Sequence, residues 1–299
     1  MLSGRVDERK GTLYRLACRP AWHWGRSDMR PRTALATITL LLSLTATIGA
    51  QWVSRPTAGI PRSPDGKPNL TAPAPKLPDG KPDLSGIWDV GNMLYFHDLG
   101  RGLKPGEIQL TPWAASVQKI RRDRNHVDDP YGYCLPLGVP RESLRSPFKI
   151  VQTPSLTIFL HESFVGNTFR QIHMDGRPLP KLSEVEPAWL GYSIGKYEGD
   201  TLVVESIGFR DGGWLSANMA YPNSDALHVT ERFKRTDFGH IALTVTIDDP
   251  KAFVKPWTNT IPLTLQADTE LLDSYCDNQM QILKSWSYPK PSPEQPSPK

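Results

Sequence analysis

Cysteine is scarce, long apolar runs are scarcer, and phosphate-binding glycine patterns are missing. Three cysteines in 299 residues exclude a disulfide-dense miniprotein. A single long charge-free apolar run, Ala34–Ala50, excludes a chain that crosses a membrane many times as helices. There is no G-x-G-x-x-G and no P-loop, so nucleotide binding has no sequence support. The chain has no G-x-S-x-G elbow, no H-E-x-x-H, no C-x-x-C pair and no calcium-loop spacing, so no metal and no cofactor is assigned. What the chain does have is 29 prolines, 23 glycines and a hydrophobic fraction of 38%, too apolar for a disordered chain and rich in turns.

The net charge of +4 is misleading. Residues 1–28 carry six basic and three acidic residues, and Arg30 and Arg32 follow, so residues 51–299 sum to −1. A main body near neutrality gives no electrostatic reason to bind nucleic acid or an anionic membrane. From Met29 the chain reads as a secretory signal. Arg30 and Arg32 form the positive n-region, Ala34–Leu44 the apolar h-region, and small residues run up to Gly49 and Ala50. Residues 1–50 are therefore assigned as the signal-peptide region, with Met29 as the expected true start. The product is expected to be periplasmic or secreted, with no membrane attachment after cleavage. No cysteine ends the h-region, so no lipid anchor is indicated.

Export gives the cysteines a meaning. Cys18 falls in the discarded stretch, leaving Cys134 and Cys276. They form one bridge in an oxidising compartment or remain two buried thiols; sequence leaves both open.

Residues 51–83 form a proline-rich arm. Pro61-Arg-Ser-Pro-Asp-Gly-Lys-Pro-Asn-Leu70 recurs fourteen positions later as Pro75-Lys-Leu-Pro-Asp-Gly-Lys-Pro-Asp-Leu84. Pro-Asp-Gly is turn chemistry, and the stretch is read as an extended arm or linker leading into the domain. Residues 84–286 are read as one β-rich domain and 287–299 as a disordered tail. Thr111 and Pro112 predict a helix start, with Trp113, Val117 and Ile120 on one face. From Phe148 onward at least seven short runs alternate apolar and polar residues between turn signals, as in Leu156–His161, Thr201–Ile207 and His240–Asp248. This predicts a mainly β fold, an antiparallel barrel or sandwich with one or two short helices. Glu270–Leu283 is expected to be a closing helix.

The alternation also assigns faces. Leu227, Val229 and Phe233 share a side with Glu231, so a carboxylate falls on the apolar side of its strand. Such a group must be paired, protonated or beside a wet cavity.

Two resemblances follow. Gly86-Ile87-Trp88 ahead of antiparallel hairpins resembles the G-x-W opening of calycin (lipocalin-like) barrels. That implies a tryptophan packed against a basic residue from a late strand, a part open to Arg232 or Lys234. More broadly, Pro78-Asp-Gly-Lys-Pro-Asp-Leu-Ser-Gly-Ile-Trp88, Asp175-Gly-Arg-Pro178, Gly199-Asp-Thr-Leu-Val-Val-Glu205 and His228-Val-Thr-Glu-Arg-Phe233 resemble a group of secreted bacterial proteins with no assigned activity. That resemblance implies export and a β-rich fold.

The leading expectation is an exported β-barrel-like protein that binds a small apolar or amphipathic molecule. Trp189, Tyr192 and Trp214 are the candidate ligand-binding aromatics, with Phe209–Trp214 as a mobile cover for the barrel mouth. A second expectation is an acid–base hydrolase, glycosidase-like, using Glu231 and Glu205 with His161 or His173 assisting. A third is a protein-interaction module acting through the arm. His126 with Asp128 and Asp129 is read as turn chemistry rather than a metal site. Oligomeric state is not assigned.

Overall fold

The computed structural model describes residues 56–163 and 165–276. The signal region 1–50 and the tail 287–299 lie outside the described residues. Among those described, nine strands close into a barrel in sequence order. They are β1 (Gly86–Asp89), β2 (Phe148–Gln152), β3 (Leu156–His161), β4 (Thr168–His173), β5 (Tyr192–Glu198), β6 (Thr201–Ile207), β7 (His228–Arg235), β8 (His240–Asp248) and β9 (Trp257–Leu265). β1 pairs with both β2 and β9, which removes the free edge a sandwich would keep.

The ladder is antiparallel except at β4–β5, which run parallel and pair only at Ile172 with Ser193 and His173 with Ile194. The barrel is thus the expected mainly antiparallel one, made mixed by this single parallel pair. A parallel neighbour needs a long return. The Asp175-Gly176 turn leads into residues 177–191, which carry the chain back to the starting end instead of closing a hairpin.

The short links are true hairpins. Glu198 pairs with Thr201 around Gly199, whose φ of 58° suits a tight turn. Period-two burial runs the length of β8, where Ile241, Leu243, Val245 and Ile247 point inward. The interior is packed with aromatic rings: Phe159 lies 5.4 Å from Phe148 and 5.3 Å from Phe233, centroid to centroid.

Between β1 and β2 lie two helices, α1 (Leu94–His97) and α2 (Pro112–Asp123). Thr111 caps α2 as its sequence predicts, accepting from the Ala114 N–H at 3.2 Å. The buried side of α2 is Ala114, Val117 and Arg121, rotated from the expected Trp113–Val117–Ile120 stripe. Arg121 is pulled inward because its guanidinium lies over the Trp214 ring at 4.7 Å and donates to the Gly213 carbonyl at 3.0 Å. The expected closing helix is not found over the described part, Glu270–Cys276, which is irregular; the remainder lies outside the described residues.

The G-x-W opening has a physical basis. Gly86 holds φ 138°, and a Cβ there would meet Leu265 Cδ1 at 2.6 Å. Trp88 is fully buried and donates its Nε1–H to the Leu84 carbonyl at 2.8 Å. The cation over its ring, at 5.0 Å, is Arg235 and not Arg232 or Lys234. Arg232 points outward to Glu198, and Lys234 is exposed. Arg235 also donates to the Asp83 and Phe238 carbonyls.

The described part of the arm is not an extended linker. Its two copies form equivalent turns, bridging Arg62 to Pro68 and Lys76 to Pro82. It lies against the β7–β8 turn, where the Phe238 and Gly239 N–H groups donate to Ala72 and Leu70. Leu70 packs so close to Gly239 that no Cβ would fit there.

Candidate functional site

The β4–β5 seam opens into a cleft of about 520 Å³. Outward-facing Phe169 and His173 form the β4 wall, and Trp189, Leu190 and Tyr192 form the opposite one. Arg170 and Ser193 lie at its base, where the thin ladder meets the barrel interior. Phe169 is 60% exposed, a large apolar ring held at the rim.

Each wall is fixed by local chemistry. The Tyr192 ring stacks on His173 at 5.2 Å, and its hydroxyl accepts from Arg177 at 3.0 Å. Burial, and then the nearby Arg177 charge, hold the His173 imidazole below its ordinary pKa, so it is neutral at pH 7. Trp189 follows Ala188, whose amide and carbonyl are tied to Gly208 and Arg210. The Arg210 guanidinium lies over the Trp189 ring at 5.8 Å. Glu142 braces the Pro136 end, accepting from the Leu137 N–H at 2.7 Å and from the Thr168 hydroxyl at 3.2 Å. Burial pushes its carboxyl above the usual range.

Beneath the cleft, the barrel interior carries a polar knot. Arg170 donates to Glu231 at 2.5 Å, to Ser193 at 3.1 Å and to Ser206 at 2.8 Å. The two serine hydroxyls are 2.9 Å apart. Arg170 Nη1 and Glu231 Oε1 have no hydrogen-bond partner among the described residues. His161 is fully buried nearby, 3.0 Å from the Ser143 hydroxyl. Burial first, and the Arg170 charge second, lower its pKa to about 3.

The residues predicted for chemistry are not brought together. Val204, not Glu205, lies opposite Glu231 in the β6–β7 register, so the two carboxylates occupy opposite faces of the sheet. Glu205 faces outward, 3.5 Å from His228 Nε2. Glu231 is buried against Arg170, His161 sits in the core and His173 lines the outer cleft. Of the predicted ligand aromatics, Trp189 and Tyr192 share the cleft; Trp214 does not, being buried beneath Arg121. The Phe209–Trp214 segment is pinned by its buried ends, Phe209 and Trp214, and only Arg210–Gly212 between them are exposed. Cys134 and Cys276 form the disulfide, with Cα atoms 5.8 Å apart.

Arg170 and Phe169 were missed. Arg170 shares a strand face with Ile172, the same charge-on-an-apolar-face signal that marked Glu231. Two such signals of opposite sign on one barrel predict a pair.

Asp129 and Asp128, weighed as metal ligands, pair with Arg141 and Arg124. Among the described residues no group of three His, Cys, Asp or Glu is placed to hold a metal ion, and no helix is long and apolar enough to cross a membrane. The fold and cleft define a closed nine-strand barrel with a lateral, aromatic-walled groove. Compared with known proteins, the chain matches no family model, no curated protein and no solved structure.

Proposed function

We propose that this is an exported binding protein, lipocalin-like in its G-x-W base, that holds a small amphipathic molecule in the cleft between β4 and β5. One observation carries the reading. A groove of about 520 Å³ combines exposed or half-exposed aromatic walls, Phe169, Trp189 and Tyr192, with hydrogen-bonding groups at its base. The groove is lateral because the barrel interior is packed with Trp88, Phe148, Phe159, Phe233 and the Arg170–Glu231 pair. The signal-like segment from Met29 and the Cys134–Cys276 bridge support export to an oxidising compartment.

The test is a thermal-shift panel of fatty acids, aromatic acids and sugars, with a fluorescence titration of 8-anilinonaphthalene-1-sulfonate alongside. At least one class should raise Tm. Trp189→Ala and Tyr192→Ala should each weaken dye binding about tenfold, the loss of one well-packed aromatic contact. No stabilisation by any class, together with dye binding indifferent to both substitutions, overturns the proposal.

A further inference from the structure

β4 spans six residues, yet β5 pairs with it only at Ile172 and His173. On its other side β4 pairs with β3 along its full length. The Met174 N–H donates to the Ser155 carbonyl at 2.8 Å, and these two residues continue the β3–β4 register. Hydrogen bonding alternates residue by residue in an antiparallel ladder. Thr168, Arg170 and Ile172 therefore turn their main-chain groups toward β3, while Phe169, Gln171 and His173 turn theirs toward β5. Pairing with β5 does not extend to Phe169, so its N–H and C=O face the cleft with no partner among the described residues.

A strand edge with an open donor and acceptor is a template for another strand. This one is short and recessed between apolar walls, which suits a few residues of extended chain. The charges select further. Among the described residues no carboxylate lines the cleft, and the exposed Arg210 guanidinium lies over the Trp189 ring that forms one wall. A carboxylate is thus favoured at that end and an ammonium disfavoured.

We propose that the cleft takes an extended peptide whose main chain adds to the free edge of β4 at Phe169, with an apolar side chain beside Trp189 and Tyr192 and a carboxylate toward Arg210. This rests on the cleft being a ligand site and names the class of ligand. Main-chain bonds supply register, and the aromatic walls supply preference for alternate side chains.

The probe is an acetylated pentapeptide of alternating valine and tyrosine with a free carboxyl terminus, titrated into the full chain by calorimetry. Its analogues are N-methylated at the central amide or amidated at the C-terminus. N-methylation should weaken binding about tenfold, since it removes a donor and blocks the edge. Phe169→Pro deletes the N–H that faces the cleft without touching the β3 ladder; it should weaken the parent peptide by a similar factor more than Phe169→Ala does. Arg210→Gln should erase the preference for the free acid over the amide. Equal binding of the parent and N-methylated peptides to the unsubstituted chain overturns the proposal. So does failure of every peptide while 8-anilinonaphthalene-1-sulfonate still binds in a Trp189-dependent way, a result that leaves the small-molecule reading standing. If dye and peptides both fail, both readings fall.

Discussion

Arg170 reaches across the barrel interior to Glu231, Nη2 to Oε2 at 2.5 Å, with both side chains removed from water. The pair joins β4 to β7, strands that are not neighbours in the sheet. It therefore ties the loosely paired β4–β5 seam to the opposite wall. Breaking such a pair leaves a buried charge alone, at a cost of about 3–5 kcal/mol, whereas replacing both partners by apolar residues is close to neutral. Glu231→Leu should accordingly lower the urea unfolding free energy by about 3–5 kcal/mol, and the Arg170→Met/Glu231→Leu double variant should recover most of that loss. Additive losses in the double-mutant cycle would show that the two side chains do not act as a pair.

His161 contributes a pH dependence whose sign is fixed by its burial. Its folded pKa of about 3 lies below the ordinary value of 6.5, with desolvation the main cause and Arg170 the second. Above pH 6.5 the imidazole is neutral in both states and the fold gains nothing from titration. As pH falls from 6.5 toward 3, the unfolded chain binds a proton that the folded chain refuses. Stability then falls by about 1.4 kcal/mol per pH unit from this group alone. Urea unfolding at pH 7, 5 and 4 should show a shallower decline for His161→Gln than for the unsubstituted chain, although the variant starts lower at pH 7. Parallel declines would remove His161 as the source.

Much of the architecture is written in the chain's period-two alternation. The β8 run from His240 to Asp248 and the Gly199 hairpin can be read residue by residue, because burial on one face and a positive φ each leave a local mark. The parallel β4–β5 pair leaves none: Asp175-Gly176 signals a turn, but where the chain goes next depends on contacts far along it, such as Arg177 with Tyr192. The site divides in the same way. Trp189 and Tyr192 are legible as aromatics near a strand start. Trp214 carries the same sequence signal yet is buried, because Arg121 of α2 covers it. Glu205 and Glu231 stand on neighbouring strands, but their separation to opposite faces depends on a register that neither strand encodes alone.

Arg235 fixes the G-x-W end of the barrel. Its guanidinium lies over Trp88 and donates to the main chain at Asp83 and Phe238, joining the β7–β8 turn to the start of β1. Burial pulls its pKa down to about 10, still charged at neutral pH. Lysine has neither the fork nor the planar face. Arg235→Lys should therefore cost about 2 kcal/mol or more in unfolding free energy, combining lost hydrogen bonds with the lost cation–ring contact. The outward-facing Arg232→Lys should cost under about 0.5 kcal/mol. Equal effects at the two positions would contradict the packing described.

The Cys134–Cys276 bridge spans 142 positions and fastens residues 267–276 across the β3–β4 end of the barrel. Without it the start of that segment is still held by the Arg62–Asp268 ion pair, but its end only by polar contacts such as the Leu272 N–H to Glu162 at 2.9 Å and the Ser274 N–H to Asn167 at 3.2 Å. Closing so long a loop restricts the unfolded chain and is worth at most about 5 kcal/mol in the chain-entropy model. Cys134→Ser paired with Cys276→Ser should lower Tm, and hydrogen exchange should show the Leu272 and Ser274 amides losing protection first while the β7–β8 ladder keeps its own. A thiol titration of the denatured, unreduced protein should find neither Cys134 nor Cys276 reactive. Two reactive thiols, or a Tm unchanged by the double substitution, would mean that this segment is held by its polar contacts alone.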